Sequence, residues 1–156
     1  MCTSALNAAT SESVTAYLSY DHRRLDALLD EVAAAVEDGD FELAEEPFRA
    51  FDEGLRRHIR LEDEVVFPAF ERATGNREGP TVAMRGEHQD ILRLLANLRE
   101  AMARREARAA DPIAEALTSL LMRHNIKQER FVCPGTDSAL DNSSRSELVA
   151  RLRRAP

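Results

Sequence analysis

Arg57-His58-Ile59-Arg60-Leu61-Glu62, running on to Pro68, and Arg123-His124-Asn125-Ile126-Lys127-Gln128, running on to Pro134, are two copies of one pattern. In each, a His is followed four residues later by a side chain with a carbonyl oxygen, and ten residues later by Pro. Four residues is just over one turn of an α-helix, so the two side chains stack on one face and can reach one metal ion. The remaining histidines of this four-His chain, His22 and His88, precede the two copies by the same interval of 36 residues. All four therefore belong to one two-fold pattern.

Around that pattern the chain reads as helix. Leu18, His22, Leu25, Leu29, Val32 and Val36 recur at helical spacing between N-cap candidates Ser11 or Ser13 and a stop at Gly39. A second helix from about Asp40 to Ala73 carries Phe48, Phe51, Leu55, His58, Glu62, Val65 and Ala69, with a break or kink expected at Pro47 and at Pro68. The third opens at Pro80 or Thr81, carries Met84, His88, Ile91, Leu95, Leu98 and Met102, and runs to about Arg105. In the fourth, Asp111 is the expected N-cap and Pro112 the first residue. Ile113, Leu117, Leu120, His124, Gln128 and Phe131 form its inner seam, and it is expected to stop before Pro134. A polar loop and a short amphipathic helix, opened by the capping box Ser144-x-x-Glu147, follow. The expected fold is thus all-α, an antiparallel up-down-up-down four-helix bundle with a short C-terminal amphipathic helix. Residues 1–12 are read as a mobile lead-in, 13–134 as the bundle, and 135–156 as loop plus tail helix.

Composition narrows the function classes. A 156-residue chain that is 44% hydrophobic and 31% charged can bury a real core. It has no apolar run long enough to span a membrane, and no basic-then-apolar leader, which points to a cytoplasmic protein. The net charge of −7, with basic residues interspersed among acidic ones, disfavours nucleic acid as a partner. Cys2 and Cys133 read as reduced thiols rather than a disulfide framework. A homo-oligomer is compatible with everything in the sequence.

One His on an apolar helix face is more often a hydrogen-bonded core residue than a ligand. Four of four, one per helix and each in the seam, are another matter. Burying each without partners would cost about 2–4 kcal/mol. Coordination removes that cost, because neutral imidazole is a good ligand for iron, zinc, copper and nickel. Glu62 adds an anionic oxygen able to bridge two ions. Asp21 and Glu87, each just before a His, lie about 100° off the ligand face and read as solvated charges. Asp26, one turn after His22, is the better candidate for a contact behind a ligand. Tyr17 and Tyr20 lie near the level of the site and read as packing residues able to donate to a bound ligand. Leu25, Leu92, Leu95 and Leu121 are the expected apolar wall.

The order His22, His58-x-x-x-Glu62, His88, His124-x-x-x-Gln128, with Pro68 and Pro134 closing the repeats, resembles the hemerythrin-like HHE cation-binding family over roughly residues 13–134. The resemblance implies a four-helix bundle enclosing a non-haem di-iron site, held by four histidines and two bridging carboxylates, that binds or senses O2, NO or peroxide. Carried over, the metal positions are His22, His58, Glu62, His88, His124 and Gln128. Gln128 departs from the family's Glu: an amide oxygen is neutral and bridges two metals poorly. Three outcomes stay open: a di-iron centre with Gln128 terminal or unbound, a single iron or zinc ion, or a metal-free scaffold. Glu129 lies five residues after His124 and could replace Gln128 only with local distortion of the helix. Binding or sensing is favoured over turnover, a peroxide- or NO-consuming enzyme being the rival reading.

Overall fold

A computed structural model describes residues 13–156; the lead-in expected over 1–12 lies outside the described residues. Every element is helical: α1 Val14–Glu37, α2 Phe41–Leu61, a π-helical segment π1 Glu62–Val66, α3 Phe67–Thr74, α4 Pro80–Ala103, α5 Ala107–Lys127, a second π-helical segment π2 Gln128–Val132, α6 Cys133–Ala139 and α7 Asn142–Arg154. Three-residue turns and one five-residue loop connect the long rods, which makes consecutive rods antiparallel. Helix α1 packs against α2 and α5, and α4 packs against α5 and α2, so the four rods close into the expected bundle.

The helix starts follow the expected cap chemistry in the first half. Ser13 accepts from the Ala16 N–H and Asp40 from the Leu43 N–H, each satisfying a donor that the first turn leaves without a partner. In the second half the boundaries move. Helix α5 begins at Ala107, ahead of Asp111, with Pro112 inside it. The only bond Pro112 forgoes is to the carbonyl of Arg108, which is exposed and open to water. The fourth rod does not stop before Pro134: α6 continues to Ala139, so the start of the expected polar loop is helical. Helix α7 is capped by Asp141, whose Oδ1 accepts from the Ser144 N–H at 2.7 Å, rather than by Ser144.

The expected break at Pro47 does not occur, since α2 runs through it. The carbonyl left without a partner belongs to Leu43, which is 66% exposed. Pro68 and Pro134 act differently. Each follows a π-helical turn, in which the Phe67 N–H bonds to the Glu62 carbonyl and the Cys133 N–H to that of Gln128. A proline ring would clash with the carbonyl four residues back in a regular helix; the wider five-residue turn just upstream relieves that clash without ending the rod.

Two apolar clusters fill the interior. One holds Leu25, Leu29, Phe51, Leu55, Ile59, Ile91, Leu95, Leu98, Leu117 and Leu121; the other holds Leu18, Val65, Val66, Phe67, Phe70, Met84, Val132 and Cys133. Along three of the rods a histidine separates the two, as His22 does between Leu18 and Leu25 and His88 between Met84 and Ile91; on α2 His58 lies between Leu55 and Ile59 of the first cluster, just ahead of Leu61 of the second. Close helix approach is secured at Gly54, where a Cβ would lie 2.9 Å from Leu25 Cδ2, and at Gly135, where it would lie 2.9 Å from Phe70 Cε2. Phe131, expected in the seam, is instead 63% exposed. It sits within π2, whose wider turn rotates the following residues out of α-helical register.

Helix α7 completes the second cluster with Leu148, Val149 and Leu152. Its last carbonyls are held from below: Arg57 donates to Leu152 O at 3.3 Å and to Ala155 O at 2.9 Å, and the Tyr17 hydroxyl donates to Leu152 O at 3.2 Å. Leu152→Ala is expected to destabilise the protein by about 2–5 kcal/mol in urea denaturation, as for other fully buried leucines. A loss below about 0.5 kcal/mol would show that α7 is not part of the folded core.

Candidate metal centre

The layer between the two clusters brings His22, His58, Glu62, His88, His124 and Gln128 out of solvent, each 3% exposed or less. Two groups of three share one member. His22, His58 and Glu62 form one and Glu62, His88 and His124 the other, and within each group ligand-type atoms lie within 4.8 Å of one another. Glu62 divides its two oxygens between them. Oε1 is 2.6 Å from His58 Nε2 and 3.9 Å from His22 Nε2, whereas Oε2 is 2.8 Å from His88 Nε2 and 3.4 Å from His124 Nε2. The π-helical turn begins at Glu62 itself, so the residue closing the first repeat sits where the helix changes pitch.

Behind every imidazole stands a carboxylate. His58 Nδ1 meets Asp21 Oδ2 at 2.8 Å, His124 Nδ1 meets Glu87 Oε2 at 2.8 Å, His88 Nδ1 meets Asp63 Oδ1 at 2.9 Å, and His22 Nδ1 meets Glu129 Oε1 at 2.7 Å. A carboxylate accepts only, so each Nδ1 carries a proton, and in the neutral ring that a metal would require each Nε2 is left with its lone pair toward the centre. Asp21 and Glu87 are thus not free solvated charges. Their 100° offset from the ligand face aims them sideways at the histidine of the next rod. Asp26 does not take the place expected of it: it is exposed, and no hydrogen bond joins it to a histidine among the described residues. Tyr17 is engaged with α7, and Tyr20 is 66% exposed.

Sequence reasoning passed over Asp63 as well, and considered Glu129 only as a replacement ligand. A signal for all four was available, because each carboxylate adjoins a member of the repeated pattern. What could not be read was the partner, since each serves a histidine on another rod.

Among the described residues five buried side-chain atoms have no hydrogen-bond partner: His22 Nε2, His58 Nε2, Glu62 Oε1 and both polar atoms of Gln128. All belong to the six predicted metal positions. The close approach of His58 Nε2 and Glu62 Oε1 lacks hydrogen-bond geometry. A cation accepting the lone pairs of the neutral imidazoles, of Glu62 and of Gln128 Oε1 would relieve the cost of leaving them dry, which is about 1–3 kcal/mol for each unpaired group; Gln128 Nε2 is a donor and gains nothing from it. The donor set of four imidazoles and a carboxylate therefore fits iron or zinc. Beside it lies a cavity of about 10 Å³, room for one water-sized molecule, walled by Leu25, Leu55, Ile59, Ile91 and Leu121. Leu92 and Leu95 pack in the cluster beyond it.

The profile of the hemerythrin HHE cation-binding domain matches residues 13–132. The chain belongs to the hemerythrin HHE cation-binding family. No curated protein and no solved structure matches it at a significant level. Among the described residues of this hemerythrin domain no helix is long and apolar enough to cross a membrane.

Without metal the layer is strongly coupled. Burial pulls the His58 imidazole down, but the Glu62 and Asp21 carboxylates outweigh it and lift His58 to about 10. Burial likewise opposes His88, which Asp63 and Glu62 raise to about 9. Burial pushes the Glu62 carboxyl up, yet the surrounding imidazoles, His58 foremost, hold it well below the ordinary carboxylate range. A raised folded-state value means stability that is fully present below the ordinary value of 6.5 and is lost as pH rises through 9 to 10. Melting temperatures of chelator-treated protein should therefore fall between about pH 6.5 and 10. Metal uptake requires neutral imidazoles, so it should release protons and tighten across the same interval. A flat melting profile over that range would contradict this account.

Proposed function

We propose that His22, His58, Glu62, His88 and His124 of this hemerythrin domain would hold two non-haem iron ions, His22 and His58 serving one, His88 and His124 the other and Glu62 both, and that the domain binds or senses O2, NO or peroxide there. The observation that carries the reading is the set of four buried acceptor atoms without hydrogen-bond partners among the described residues, His22 Nε2, His58 Nε2, Glu62 Oε1 and Gln128 Oε1, all on predicted metal positions. Iron so held would supply Lewis-acidic, redox-active chemistry toward a small ligand.

The chain's own residues do the rest. Asp21, Asp63, Glu87 and Glu129 each hold an Nδ1 proton and fix the ring that bears it. The apolar wall excludes bulk water, and a cavity of about 10 Å³ admits a diatomic or water-sized guest rather than an organic substrate. That size supports binding or sensing over turnover of larger molecules. The buried free thiol of Cys133 suits a reducing cytoplasm.

A single-metal reading is favoured by one feature: Glu62 is the only carboxylate in either group of three, because position 128 carries a neutral amide. Two ferric ions would face one anion fewer than in a site bridged by two carboxylates. Elemental analysis of purified protein decides. Two iron ions per chain are expected, one ion would favour the mononuclear reading, and a folded protein that takes up no metal would overturn both. Gln128→Glu should tighten binding of the more weakly held iron and strengthen the near-ultraviolet ligand-to-iron absorption. Unchanged affinity and spectrum would show that position 128 is not a ligand.

A further inference from the structure

We infer that Glu129, acting through His22, supplies the His22–His58 half of the site with a carboxylate charge that no Lys or Arg offsets, and thereby sets that half's affinity for its ion. This rests on the metal-site reading above and assigns a positioning residue within it.

The four carboxylates behind the histidines are not equivalent. Asp21 is paired with Arg24 at 2.8 Å, Glu87 is bonded to Lys127, and Asp63 faces Arg85 Nε at 4.0 Å. Each of these three therefore shares its charge with a cation. Arg85 is held mainly by Glu71 at 2.5 Å, so Asp63 is only partly offset. Glu129 alone of the four has no Lys or Arg within 4.0 Å among the described residues, which leaves its charge to the ring of His22.

The local backbone explains how that charge arrives. Five residues past His124 in a regular helix, Glu129 would point about 140° away from it. Glu129 follows Gln128 at the opening of the π turn, about 100° round from that ligand-face position, and from there its Oε1 reaches His22 on α1. The carboxylate is 39% exposed, so water screens part of its field. Its 2.7 Å contact runs to a ring that is only 3% exposed, and a charge-assisted bond to a buried imidazole passes directly to the opposite nitrogen.

Glu129→Gln tests this, because the amide oxygen can still accept from His22 Nδ1 while the charge is gone. Anaerobic titrations with Fe2+, and with Co2+ for its visible bands, should show one of two ions bound about 10–100-fold more weakly. The reduction potential of the bound iron should rise, which loss of ring orientation alone would not produce. Restoring a carboxylate next door, in the Gln128→Glu/Glu129→Gln double variant, should recover at least about tenfold of the lost affinity. Conversely Lys127→Met, which frees Glu87 of its cation on a half-exposed side chain, should tighten the His88–His124 ion. That variant tests the charge argument even where Glu129→Gln folds poorly. Unchanged affinity in Glu129→Gln, no recovery in the double variant, or no tightening in Lys127→Met would overturn the inference while leaving the metal site standing. Failure of the unaltered protein to bind either ion would instead sink the metal-site reading itself.

Discussion

Four imidazoles cross the middle of an otherwise apolar bundle, and each has two nitrogens that must be satisfied without water. Asp21, Asp63, Glu87 and Glu129 answer for the Nδ1 side, one carboxylate per ring. The Nε2 side is left to Glu62 and to whatever cation sits between the rings. This constraint dictates much else. It demands four rods at one level, so that each carboxylate can reach the histidine of a neighbour. It also divides the core into two apolar clusters, one on each side of the polar layer.

The two π turns mark where that layer crosses the second and fourth rods. Each widens the helix from the residue that closes a repeat, and the next residue, Asp63 or Glu129, reaches His88 or His22 on another rod. The same widening makes room for the ring of Pro68 or Pro134 six residues past the start of each turn. A proline therefore closes each repeat without closing the rod, and the helix continues into α3 and α6.

Cations complete the arrangement from outside. Arg24 and Lys127 neutralise carboxylates that would otherwise repel one another around a crowded centre. Arg85 serves several groups at once: it binds Glu71 at 2.5 Å, lies 5.3 Å above the Phe67 ring, and approaches Asp63. Phe67 in turn stacks on His88 with ring centroids 5.5 Å apart, so one face of that imidazole is covered by an aromatic wall. Arg57, next to His58 in sequence, faces outward to clamp the end of α7. The layer is thereby tied both to the bundle surface and to the terminal helix.

Much of this was legible before any coordinates. Helical spacing of Leu18, His22, Leu25 and their counterparts identified four rods, and the 36-residue interval tied the histidines into one pattern. Those are properties of single helices and of simple repetition, which a sequence displays directly. Asp21 and Glu87 were misread because an offset of 100° looks like a solvated face until a neighbouring rod is placed beside it. The continuous path through Pro47 and Pro134, the outward turn of Phe131 and the reach of Glu129 depend likewise on helix pitch and on what packs alongside. The sequence by itself determined which side chains are available to a metal and on which face of each rod they lie. Only the tertiary structure decided which carboxylate answers which imidazole, because those contacts join residues on different rods and are fixed by packing rather than by spacing.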